Sequence, residues 1–436
     1  MRMTDNRRRV VIVSPHFPPS NATAGHRTRL FAAHLRKYGW EPHVLAVDPR
    51  FYEEPLDWDL MRLLPADLPV SRTRALPLRP VRVVGDLGVR ALLWQYCALS
   101  KLAARREIDL LFIPIPPNFS ALLGPLLHWR HKVPYAIDYI DPWVHPWPEA
   151  EKRFSKAWFA YKLGQLFEPI VLRHASLVTG VAPGYYQGAF DRNPDIPPKP
   201  HVSLPYGAEI RDFSYLDEHA RPVTLFDPDD GNFHVVYTGT LLPRAKEPMV
   251  AVFEAVRELM ESSPDARRLR LHFIGTGNAA TNDEPCVAPL AEAAGIGHLV
   301  REHPARIPYL DALNHLNRAA AVLVVGSTEP HYTASKIFPA ILSGRPVVAV
   351  LHAKSSASSI LAETRGCLVV AFDDRRPVGD RRGDIAAAFR ALLRDGIVPD
   401  ADRDAVLRTC SAENLTSSLA QAFDAILPPR ELAATP

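Results

Sequence analysis

Two successive series of β-branched runs alternating with helical stripes constrain this 436-residue chain more than any other feature. The first series has apolar runs at 9–14, 41–47, 110–115, 135–140 and 175–181; the second at 234–237, 269–274, 321–325, 346–351 and 366–370. Between them lie stretches of helical periodicity, such as Leu30, Phe31, Ala33 and Leu35 ending at Gly39. Strand–helix alternation predicts parallel sheets covered by helices on both faces. A chain this long exceeds what one hydrophobic core sustains. The expected class is α/β, with two Rossmann-like doubly wound domains facing across a cleft. The expected bounds are 1–207 for the N-terminal domain, 208–232 for a charged, proline-containing linker, and 233–410 for the C-terminal domain. Residues 411–436 form a C-terminal helix and tail free to pack back across the domain junction. Ligands of such sheets sit at strand carboxyl ends, which directs attention to the loops at 14–26, 114–119 and 141–148.

Charge narrows the partners. The formal net charge of +3 is too small for nucleic acid to be the principal ligand. Four scattered cysteines, Cys97, Cys286, Cys367 and Cys410, form no CxxC pair and suit a reducing cytoplasm. No run reaches the ~20 apolar residues of a spanning helix, and Val10–Val13 is too short for a signal-peptide core. The expected location is cytoplasmic, either free or peripheral on the inner membrane face. The segment 151–174 alternates cations with aromatics, as in Lys152-Arg-Phe-Ser-Lys-Ala-Trp-Phe. That pattern suits a helix lying among lipid headgroups and equally a helix packing its aromatics on its own domain.

Two loops carry phosphate chemistry. Gly239-Thr-Leu-Leu-Pro-Arg-Ala-Lys246 follows a strand, and Ser335-Lys336 opens an apolar segment that Gly344-Arg345-Pro346 stops. Arg244 can fork onto phosphate oxygens, Lys246 and Lys336 can act as point charges, and Gly239 and Thr240 can bring backbone and hydroxyl close; the alternative is a solvated surface pair at Arg244 and Lys246 and a first-turn lysine facing water at Lys336. Gly275 and Gly277 resemble a dinucleotide turn, but Ala280 stands where its third glycine belongs, so no NAD site is read there. In the first half, Gly25 is the candidate for close backbone approach to a diphosphate or acceptor, flanked by His16, His26 and Arg27. Asp138 and Asp141 flank a strand end near Trp143 and Trp147. A carboxylate there orients an acceptor hydroxyl or caps a turn, and tryptophans stack on sugars or line apolar acceptors. His128 and His131 lack a third ligand in sequence and give no metal site.

In order and spacing these elements resemble the retaining nucleotide-sugar glycosyltransferases of the GT-B fold, the group around family 4. The likeness spans nearly the whole chain: the opening strand and Gly25 loop, Ile137-Asp-Tyr-Ile-Asp-Pro-Trp143, Val236-Tyr-Thr-Gly-Thr240 with Arg244 and Lys246, Ile274-Gly-Thr-Gly277, and Ser335-Lys336 with Gly344-Arg-Pro-Val-Val348. The resemblance implies a hexosyltransferase-like enzyme working without a metal or other cofactor. It would move a sugar from a UDP- or GDP-sugar, its substrate, to a hydroxyl on a carbohydrate, lipid-linked or small-molecule acceptor, in polysaccharide assembly or metabolite tailoring. Asp141, Arg244 and Lys246 then fall at catalytic positions; Gly239, Thr240, Gly275, Gly277, Ser335 and Lys336 at the donor; Gly25, His26, Arg27, Asp138 and Trp143 on the acceptor side.

The chain departs from that group at two places. Pro339 and His331 occupy the positions of the Glu-x7-Glu pair, with Glu329 nearby but out of register, and Ile140 replaces the histidine that often precedes the residue matching Asp141. A proline side chain accepts no hydrogen bond from a ribose. The departures keep open a catalytically degenerate GT-B protein acting as a binding or scaffold subunit, and less strongly a nucleotide-sugar epimerase.

Overall fold

The computed structural model describes residues 7–77, 85–145, 152–277, 284–330, 332–394 and 398–429. Trp147, His331 and Ala280, named above, lie outside the described residues. The chain divides into two compact units, one comprising 1–205 with 412–436 and the other 206–411.

The first unit holds seven strands: β1 (Arg8–Val13), β2 (Trp40–Val47), β3 (Val70–Thr73), β4 (Leu110–Ile115), β5 (Tyr135–Tyr139), β6 (Leu177–Gly180) and β7 (His201–Ser203). Their order is β3-β2-β1-β4-β5-β6-β7, and every pairing is parallel. The Leu-Leu-Phe-Ile-Pro-Ile run of β4 is buried throughout, as a central strand covered on both faces must be. The helix Ala412–Ala425 seats Leu415, Leu419 and Phe423 in this unit's core. Phe423 stands edge-on to both Trp40 and Phe112, with ring centres 5.2 Å apart in each pair.

The second unit holds β8 (Phe233–Thr238), β9 (Leu269–Ile274), β10 (Val300–His303), β11 (Ala321–Val325), β12 (Val347–His352) and β13 (Cys367–Phe372), in the order β10-β9-β8-β11-β12-β13 and again parallel. Its core joins Met249, Val252, Phe253, Val256 and Leu259 of the helix Lys246–Ser262 to Ile385 and Phe389 of Arg382–Leu392 over the sheet. The doubly wound α/β reading therefore holds in each half.

Several short elements escape the periodicity. The strand β3 lies in a stretch that reads as loop, and its residues are only half buried, as at a sheet edge. Helices Pro183–Arg192 and Arg403–Cys410 fall where no helical stripe stands out. Residues 208–232 carry the helix Ile210–Glu218, which buries Phe213 and Leu216, and they lie inside the second unit. Among the described residues no helix is long and apolar enough to cross a membrane.

Candidate functional site

In each sheet the strand order reverses once: between β1 and β4 in the first unit, between β8 and β11 in the second. Loops leaving neighbouring strands there turn to opposite faces and open a crevice. In the second unit the crevice is bounded by the loops after Thr238 and Val325, which hold both phosphate-type motifs.

The chain leaves β8 through Gly239 at φ +98°, a left-handed conformation that favours glycine. A Cβ there would lie 3.6 Å from both Cε and Nζ of Lys336, so the ammonium rests over a bare Cα. Lys336 Nζ donates to the hydroxyl of Tyr237 at 2.6 Å and sits 3.9 Å from that ring's centre. Tyr237 is buried and donates onward to the carbonyl of Thr240 at 3.2 Å. Burial lowers the Lys336 ammonium to about 7. Among the described residues no carboxylate pairs with it. A desolvated cation held by a phenol and a ring face lacks the anion that ordinarily compensates such burial.

Arg244 lies in the short turn Pro243–Ala245 farther along the loop after β8. Its guanidinium pairs with Glu329 at 2.8 Å, and its carbonyl accepts the N–H of Thr328 at 3.0 Å, so two contacts join the loops. Glu329 is buried, and both its N–H and its carboxylate engage Ser327. The third loop lies alongside: Thr240 Oγ1 donates to the carbonyl of Gly277 at 3.2 Å, and Leu241 N–H to that of Thr276 at 3.0 Å. Gly275, at φ +72°, turns the chain there.

The other second-unit candidates stand differently. Lys246 is exposed in the first turn of Lys246–Ser262 and lends its charge to the surroundings of Cys286. Ser335 is half buried, and its carbonyl accepts Phe338 N–H at 3.3 Å. Pro339 belongs to the six-residue helix Ile337–Leu342. Its missing N–H costs nothing in a first turn. A separate cavity of about 360 Å³, lined by Phe226, His234, His272 and Arg301 among others, contains none of these residues.

In the first unit the structure moves several acceptor-side candidates into the interior. Arg27 and Asp138 are both 0% exposed. Arg27 Nε and Nη2 donate to the two Asp138 oxygens at 2.6 and 2.8 Å. Thr179 donates to the same carboxylate at 2.6 Å, and Arg27 Nη1 reaches the carbonyl of Pro205 at 3.0 Å. A pair so saturated ties β5, β6 and the first helix together and offers nothing to a substrate. Trp143 is buried edge-on against Phe119, with ring centres 5.9 Å apart, and its indole also lines the position where a Cβ on Gly164 would sit. It is therefore a packing residue and presents no open stacking face. Gly25 is needed for a close approach, but to the protein itself: a Cβ there would lie 2.9 Å from the carbonyl oxygen of His16.

What remains at the surface is Asp141, exposed past the end of β5, and half-buried His26, whose Nε2 meets Asn21 Oδ1 at 2.9 Å. His16 Nδ1 lies 2.7 Å from Glu54, which also accepts from the Ser20 hydroxyl. Burial alone would raise Glu54, but these two partners outweigh it and hold the carboxyl at about 2.

Sequence reasoning missed Tyr237 and the engagement of Glu329. A tyrosine two residues before a strand-ending glycine is a weak signal. Glu329 is visible in the sequence, but only the fold brings it to Arg244.

Comparison with known proteins agrees with this architecture. Residues 23–207 match the family model of the glycosyl transferase 4-like domain. The structure resembles sucrose-phosphate synthase from Thermosynechococcus elongatus (TM-score 0.60, 16% identity, covering 96% of this chain and 99% of that one). It also resembles HepE from Anabaena in complex with UDP-glucose (0.61, 14%, 96% and 99%). A third likeness is to the E. coli trehalose-6-phosphate protein bound with UDP-2-fluoro glucose (0.62, 11%, 97% and 100%). No curated protein matches the sequence. Likenesses at such identities speak for the fold, which is GT-B, and the resemblance to GT-B glycosyltransferases read from the sequence is borne out.

Proposed function

We propose that this chain, a GT-B protein with a glycosyl transferase 4-like domain over residues 23–207, transfers a sugar from a nucleoside diphosphate sugar to a hydroxyl acceptor. The observation that carries the reading is Lys336: a half-buried lysine whose desolvated ammonium has no carboxylate among the described residues, packed over Gly239 where the strand order reverses. A diphosphate supplies the missing charge. As the glycosidic bond breaks, negative charge grows on the departing diphosphate. Lys336 stabilises it as a point charge, and Arg244 as a forked donor once it exchanges Glu329 for phosphate. These cations do the neutralising that a metal does elsewhere, so the reaction proceeds without one. The bare Cα of Gly239 lets a phosphate oxygen approach the backbone.

In this reading the donor is UDP- or GDP-linked and configuration is retained. Asp141, exposed past β5, orients the acceptor hydroxyl. Lys246 extends the positive field at the head of its helix, and Ser335 adds a hydroxyl beside Lys336. The test is calorimetric titration of the full chain with UDP, GDP and their glucose conjugates. Wild type is expected to bind at least one, and Lys336→Met and Arg244→Ala each to lose roughly tenfold or more, the value of about one charge-assisted contact. Wild-type affinity in both variants would overturn the assignment.

A further inference from the structure

The helix Lys156–His174 has two apolar faces. One, with Gly164, Val171 and Leu172, is buried in the first unit. On the opposite side stand Phe159, Leu163, Leu166 and Ile170, spaced by four, three and four residues and therefore in one stripe. They are 50%, 42%, 59% and 46% exposed. Phe154, just before the helix, is exposed as well, with the Arg153 guanidinium 5.1 Å from its ring centre. The adjoining helix Leu123–His131, whose His128 stacks on His174, adds exposed Leu126 and Trp129. Single exposed apolar residues are ordinary, but an aligned row of them marks a contact surface.

Charge selects what covers it. At 100° per residue, Lys156 and Lys162 project about 60° to either side of the stripe, so their stems lie along it and their ammonium groups at its rim. Lys152, Arg153 and Arg173 extend the same sign. Between residues 152 and 174 the single carboxylate is Glu168, and it is turned inward onto Arg192 at 2.9 Å. The helix Leu123–His131 has no acidic residue and is followed by Lys132. An apolar stripe with aromatics at one end, cationic rims and, among the described residues of the two helices, no exposed carboxylate complements an anionic bilayer surface: the side chains enter the acyl boundary while the cations meet phosphate groups.

We infer that this face seats the protein on a membrane rich in anionic lipid, lying in the interface and not spanning it. The inference is independent of the donor assignment, which concerns the other unit. The experiment is flotation of the full chain with vesicles of phosphatidylcholine alone or with about one third phosphatidylglycerol, at low and high salt. Binding is expected to the anionic vesicles and to weaken with salt. Lys156→Gln with Lys162→Gln should lower the partition coefficient roughly fivefold per cation removed. Leu163→Ser with Leu166→Ser should lower it at least as much, while the thermal unfolding midpoint stays at the wild-type value. The inference is overturned if anionic vesicles bind no better than neutral ones or if the leucine variants float like wild type. It is overturned equally if sedimentation shows a wild-type dimer that those variants dissolve while no vesicle binds, because a second copy then covers the stripe.

Discussion

Arg27 in the first unit is fully buried and Lys336 in the second is half buried with its ammonium desolvated, and the partners of the two cations could hardly differ more. Arg27 meets both oxygens of Asp138, which Thr179 also serves, and spends a further N–H on Pro205. Lys336 meets a phenol hydroxyl, an aromatic face and the bare Cα of Gly239. The first is complete within the fold, and its charge serves architecture. The second has no carboxylate partner among the described residues, and on the function proposed above a diphosphate supplies the missing charge. Burial alone does not separate a structural ion from a functional one; the count of satisfied partners does.

The largest expected effect tests the complete site. Asp138→Ala leaves the Arg27 guanidinium buried and unpaired, which typically costs about 3–5 kcal/mol. Urea denaturation followed by circular dichroism should show that loss, and a change below about 1 kcal/mol would put Arg27 and Asp138 in a less demanding role. At the incomplete site the pattern inverts. Lys336→Met removes a desolvated cation with no carboxylate partner, so stability holds or rises while nucleotide affinity falls by roughly tenfold or more. A Lys336→Met protein that is severely destabilised yet binds nucleotide normally would erase the contrast.

The titration of Lys336 sharpens the comparison further. Its folded pKa of about 7 lies below the ordinary lysine value of 10.5. The unfolded chain therefore binds more protons between those values, and stability should rise with pH across that window, an increment missing in Lys336→Met. Nucleotide affinity should move the opposite way. If, as proposed, the protonated ammonium is the form that binds diphosphate, the association constant is expected to fall about tenfold per pH unit above 7. Calorimetry in buffers of different ionisation enthalpy should detect proton uptake on binding near pH 8. A flat affinity between pH 7 and 9 would detach Lys336 from the ligand. The smallest effect concerns Arg244, which Glu329 holds at 2.8 Å. Glu329→Gln should loosen the hold on the guanidinium and tighten nucleotide binding a few-fold, about 1 kcal/mol or less and below the ~1.5–3 kcal/mol of a hydrogen bond to a charged group, because the glutamine amide still accepts. Weaker binding would instead make Glu329 a contact for the ligand.

Central strands were the most legible part of the sequence. Leu110–Ile115, Leu269–Ile274 and Ala321–Val325 read as strands with the bounds the structure gives them, because a strand buried on both faces is an unbroken apolar run. The edge strand Val70–Thr73, half buried and mixed in polarity, carries no such signature. Neither do the short helices Pro183–Arg192 and Ile210–Glu218. At the site, residue type and chain order singled out Gly239, Thr240, Arg244 and Lys336, which the fold gathers in the loops at one switch point. The same reasoning also singled out Arg27, Asp138 and Trp143, whose motif spacing is real but whose partners lie far along the chain: Asp138 is 111 residues from Arg27.

From sequence alone followed the alternating pattern, the two-sheet α/β architecture and the positions of the glycine and cationic loops, because periodicity and turn chemistry are local properties of the chain. Only the tertiary structure decided which charges are answered and which are not. Whether a cation meets a carboxylate, as Arg27 does, or a phenol ring, as Lys336 does, depends on residues brought together across the sheet, and desolvation exists only once the core has closed around them.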